Sequence, residues 1–70
     1  MATKLYNVIQ WVKDNGKAHS VNRMRLKVLA STVKEGISLD KITPNTDCSD
    51  ACLDAVRKAA ATVVGKPCPV

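Results

Sequence analysis

The chain has no phenylalanine, and Tyr6 and Trp11 are its only aromatic residues. A β-sandwich core or a platform for stacking bases draws on more rings than this, so both architectures are disfavoured. Histidine occurs once, at His19. A nucleophile, a base and a group to orient that base cannot be assembled around it from any motif in the sequence, so catalysis is not expected. No stretch approaches the ~20 apolar residues that span a bilayer. The start Met1-Ala2-Thr3-Lys4 lacks an apolar run with a small-residue cleavage site, so a chain without a leader and without a membrane span is expected.

Three cysteines, Cys48, Cys52 and Cys68, make an odd number and argue against a secreted disulfide framework. A reducing, cytoplasmic compartment follows as the expectation. Together with His19 they supply the donor types of a Cys₃His zinc site, but Cys68 and His19 lie far from the pair. The favoured reading makes Cys48 and Cys52, one helical turn apart, small hydrophobes at the edge of the core. No metal, cofactor or small-molecule substrate is expected. A bridge from Cys68 is opposed by distance: the third helix carries the chain about 24 Å from Cys48 and about 18 Å from Cys52, and four residues return at most ~14 Å. An intermolecular bridge through Cys68 stays open.

What the sequence does contain is aliphatic. Seventy residues of Leu, Ile, Val, Ala and Met patterning allow one thin core, and such cores rarely exceed a net ~3–5 kcal/mol. The expected fold is all-α, a small three-helix bundle forming a single domain over residues 1–70, with helices over about 4–15, 21–35 and 48–64. Leu5, Val8, Ile9 and Val12 recur at i, i+3, i+4 and i+7 and define the inner face of the first helix, with Trp11 and Tyr6 on its flanks. Thr3 is placed to cap it, and Asn15-Gly16 to close it in a left-handed conformation.

Ser20 is read as the N-cap of the second helix. The apolar residues of that helix, Val21, Met24, Leu26, Val28, Leu29 and Val33, cover more than half its circumference, which predicts a central helix touching two neighbours. Thr43-Pro44-Asn45-Thr46 reads as a turn, with a short helical turn before it at Ser38-Leu39-Asp40-Lys41. Asp47, Asp50 and Asp54 favour the start of a third helix and Gly65 with Pro67 its end. Its inner face is predicted at Leu53, Val56, Ala60, Val63 and Val64.

Charge is unevenly spread. Through Lys34 seven cations face Asp14 alone, whereas from Glu35 onward four cations face five carboxylates. A basic half of this kind suggests an acidic partner. On an unbroken second helix Arg23, Lys27 and Lys34 fall within about 40° of one another, a ridge that Lys13 and Lys17 extend. Such a ridge attracts phosphates, and Asn22 beside it has the chemistry to reach a base edge.

The favoured function is therefore a non-enzymatic binding protein for an acidic macromolecule, DNA or RNA first, through Lys13, Lys17, Arg23, Lys27 and Lys34. The alternative is an acidic protein surface, met by a regulator or by a structural subunit of an assembly such as a virion; a homo-oligomer is left open. In size and in lacking a catalytic set the chain looks like the small accessory proteins that bacteriophages encode, a likeness of type carried by no motif.

Overall fold

A computed structural model describes residues 2–70; Met1, the first residue of the predicted domain, lies outside the described residues. Four α-helices and one 3₁₀ turn, without strands among the described residues, form a small all-helical bundle. Its radius of gyration, 10.5 Å, is close to the ~11 Å of a folded chain of this length, so no segment extends away as an arm.

The first helix, α1 (Lys4–Asn15), matches expectation in its bounds and in its face: Leu5, Val8, Ile9 and Val12 are all buried. The Thr3 hydroxyl accepts from the Tyr6 N–H at 3.2 Å, as a cap should. Thr3 also ties α1 to the Thr43–Thr46 turn, donating its N–H to the Pro44 carbonyl at 3.0 Å and its hydroxyl to the Thr46 carbonyl.

The closure of α1 differs from the expected left-handed one. Gly16 is extended (φ −99°, ψ −170°), and the terminal carbonyls are met instead by Asn15 Nδ2 on Trp11 at 2.8 Å and by the Gly16 N–H on Val12 at 2.7 Å. Glycine is needed there for space. A Cβ would stand 2.7 Å from Ser20 Oγ and 2.8 Å from the Val12 carbonyl oxygen.

That close approach explains a second difference. Ser20 does not cap the following helix; it is the first residue of α2 (Ser20–Lys27), buried, with its hydroxyl accepting the Lys17 N–H at 2.8 Å to close the connecting turn. His19, exposed, takes the cap position.

The predicted helix over 21–35 is in fact two. The ladder breaks at Val28 (φ −113°, ψ 16°), and α3 (Leu29–Lys34) follows. Ser20, Met24, Val28 and Thr32 are the residues this segment buries, and they recur every four positions. At 100° per residue an unbroken helix would rotate Thr32 about 120° away from Ser20. The break takes up that drift at a buried β-branched residue, whose cost in a helix is already raised.

After α3, Gly36 turns the chain with φ 70°, and the Ser38 hydroxyl donates to Asp40 at the 3₁₀ turn Leu39–Lys41. Leu39 is fully buried and Ile42, half-buried, packs against the same core.

The last helix, α4 (Asp50–Val64), starts two residues later than expected because Ser49, and not Asp47, supplies the capping oxygen, accepting the Cys52 N–H at 3.3 Å. It ends as expected at Gly65, left-handed with φ 88°. Leu53, Val56 and Ala60 are buried with Cys52 and Ala59, while Val63 and Val64 are half-buried.

The second helix touches two neighbouring helices as expected, since α2 packs on α1 and α4 and also on the 3₁₀ turn, but α4 is equally central. Helix α4 packs against α1, α2 and α3, and the small side chains of Ala59 and Ala60 on its inner face let neighbours come close. The tail returns along the bundle, with Lys66 Nζ donating to Asn15 Oδ1 at 2.9 Å and Cys68 and Val70 packed on the core.

Candidate binding surface on the second and third helices

The five cations predicted as site residues are all exposed. Arg23 and Lys27 stand one turn apart on α2 and share a face, about 40° from each other. Lys13 lies in the last turn of α1 and Lys17 in the turn that enters α2. Lys34 is separated from them: the break at Val28 puts it at the end of α3, so the ridge is not one helix face.

Residues 16–34 contain no carboxylate, and the one ion pair among the described residues lies elsewhere, Lys58 to Asp54 at 3.9 Å on α4. Asn22 is engaged by its neighbour. The Arg25 guanidinium donates twice to Asn22 Oδ1, at 3.3 and 3.0 Å, which occupies the oxygen a base edge would need.

The side chains that sequence reasoning misplaced are apolar. Leu26 is 58%, Leu29 41% and Val33 65% exposed, so all three stand outside the core expected to enclose them. Helix α3 is inverted relative to an ordinary amphipathic helix. Its one buried residue is the polar Thr32, whose hydroxyl donates to the Val28 and Leu29 carbonyls at 3.3 and 3.2 Å, while its two large aliphatic residues face outward.

Between α3 and the start of α4 runs a shallow groove of ≈ 320 Å³ lined by Ser31, Lys34, Glu35, Ser49, Ala51 and Cys52. A clamp holds its floor: Ser49 donates its N–H to Glu35 Oε1 at 2.9 Å and its hydroxyl to Oε2. Those two hydrogen bonds, with the neighbouring Lys34 charge, keep the Glu35 carboxyl below its ordinary value. A second, more open depression of ≈ 500 Å³ at Lys4, Asp50, Asp54 and Arg57 mixes both signs of charge.

The Cys48 thiol, next to the groove, is a poor nucleophile. Burial pushes Cys48 up to about 12, and the hydrogen-bonded thiol of Cys52 together with the charges of Glu35 and Asp47 adds to the shift. Cys48, Cys52 and Cys68 are all free. Among the described residues no three or more His, Cys, Asp or Glu side chains gather as a metal site, and no helix is long and apolar enough to cross a membrane. No family model, curated protein or solved structure matches the chain.

Proposed function

We propose that this protein is a non-enzymatic binding module that docks on an acidic protein through α2 and α3, as a regulator or as a subunit of an assembly. The observation that carries the reading is the inversion of α3, with Thr32 inside and Leu29 and Val33 outside. A chain with so thin a core gains by burying aliphatic residues, and outward placement of three of them in one segment is characteristic of an interaction surface. The free thiols fit a reducing, cytoplasmic setting.

Binding of DNA or RNA through Lys13, Lys17, Arg23, Lys27 and Lys34 is the second reading, favoured by the absence of carboxylates from residues 16–34. It leaves the exposed Leu26, Leu29 and Val33 without a role. Titration of labelled duplex DNA and of RNA from low salt to about 0.15 M separates the two. On the protein-docking reading any association fades before 0.15 M. A slope of log affinity against log salt near −2.7 for duplex DNA, about −0.9 for each of three phosphates, with binding that survives at 0.15 M and ignores Leu26→Ser/Val33→Ser, would replace it with the nucleic-acid reading.

A further inference from the structure

We infer that α2 and α3 form the seat for an acidic amphipathic helix of a partner protein, which lays its apolar stripe along Leu26, Leu29 and Val33 and sets its carboxylates against Arg23 and Lys27. The inference rests on the reading that α2 and α3 are the docking surface, and adds what sits there.

The placement of the apolar residues suits helix recognition. Leu29 and Val33 stand one turn apart on α3, and Leu26 lies in the last turn of α2 just ahead of the break, so that exposed apolar anchors sit on both sides of Val28 within reach of a docked helix of two turns. Their surroundings select its charge. Leu26 lies about 60° around α2 from Arg23, so the apolar strip has cations along its border, and no carboxylate occurs anywhere from residue 16 to residue 34. Arg23 and Lys27 have no carboxylate within 4.0 Å among the described residues, which leaves both charges free to meet one from outside. A partner with Asp and Glu beside its apolar stripe would find both kinds of contact on one surface.

Other occupants fit less well. A second copy of the chain would bring Arg23 and Lys27 against their own equivalents, and like charges held together oppose the contact. Phosphates would satisfy the cations and leave the aliphatic strip in water. An anionic bilayer would accept both, but interfacial helices carry a continuous apolar face, and α3 is six residues long after a break.

The test uses the full chain and fluorescence anisotropy of labelled synthetic peptides of about 15 residues at about 0.15 M salt. One peptide carries leucines at i, i+4 and i+7 flanked by glutamates, a second has the same composition scrambled, and a third replaces glutamate by lysine. Saturable binding of the first is expected, with the scramble and the lysine peptide at least tenfold weaker. Leu26→Ser/Val33→Ser and Arg23→Glu/Lys27→Glu should each weaken it at least tenfold with the circular-dichroism spectrum unchanged.

Equal binding of the scramble, with wild-type affinity in Leu26→Ser/Val33→Ser but loss in Arg23→Glu/Lys27→Glu, would overturn the helix seat and leave α2 and α3 as an electrostatic docking surface. A dimer by sedimentation that Leu26→Ser/Val33→Ser dissociates would overturn the acidic occupant in favour of a second copy. Failure of all three peptides would overturn the seat. If duplex DNA or phosphatidylserine vesicles then bind at the same salt, the protein-docking reading falls with it.

Discussion

Helices α1 and α3 draw on the same aliphatic residues and use them in opposite ways. In α1 every residue of the stripe Leu5, Val8, Ile9 and Val12 is buried, and the exposed positions are polar or charged apart from half-buried Tyr6 and Trp11 at the flanks. In α3 the core receives a threonine and the solvent receives Leu29 and Val33. The difference separates residues that hold the fold together from residues that the fold displays. A hydrophobic residue stabilises a domain only through the area that folding removes from water, so Val33, left 65% exposed, contributes little to folding and keeps most of its surface for a contact.

Substitution on either side of that comparison should give very different results. The largest effect is expected from Ile9→Ala, which empties a fully enclosed site in α1 and should cost about 2–5 kcal/mol. In a domain whose core supplies a net ~3–5 kcal/mol, urea denaturation should find the variant largely unfolded. Gly16→Ala comes next at about 1–3 kcal/mol, since its methyl meets Ser20 and the Val12 carbonyl in the turn that leads from α1 to α2.

Ser49→Ala should cost about 1 kcal/mol by removing the α4 cap. Because the same hydroxyl holds Glu35, amide exchange should quicken in α3 more than in α1. The Glu35 carboxyl itself should titrate below its ordinary 4.5 in a carbon-detected NMR experiment, and Ser49→Ala should move it back up. The sign follows from the depression: the clamp contributes above the ordinary value and is lost as pH falls through the lower folded one. The smallest effect is expected at the displayed face. Leu26→Ser/Val33→Ser should shift stability by no more than about 0.5 kcal/mol per site, and a larger loss would mean that these residues are structural after all.

Much of the fold was legible because independent signals coincide. In α1 the stripe, the Thr3 cap and the stop at Gly16 agree, and α4 misses only its first two residues, since Asp47 and Ser49 are both good caps and hydrogen-bond geometry alone decides between them. The second helix was legible in its extent and not in its break. Val28 is an ordinary residue in an ordinary helical stretch, and the cause of the break is the four-residue spacing of Ser20, Met24, Val28 and Thr32, visible only once the serine and the threonine are known to be inside.

Of the candidate surface, the cations were legible as exposed. The apolar strip was not, although its signal is present: on a regular helix Leu26, Leu29 and Val33 fall within about 60° of one another, opposite Met24 and Val28. Two opposed apolar arcs suggest a neighbour for each, and the fold instead sets both neighbouring helices, α1 and α4, on the side of Met24 and Val28 and leaves Leu26 on the other.

The most direct test of the account is amide chemical-shift mapping of the intact protein titrated with the leucine-and-glutamate peptide. Shifts concentrated at Arg23, Leu26, Lys27, Leu29 and Val33, with the amides of α1 and the second half of α4 unmoved, are the predicted result. Shifts centred on α1 or α4, or none at saturating peptide, would contradict it.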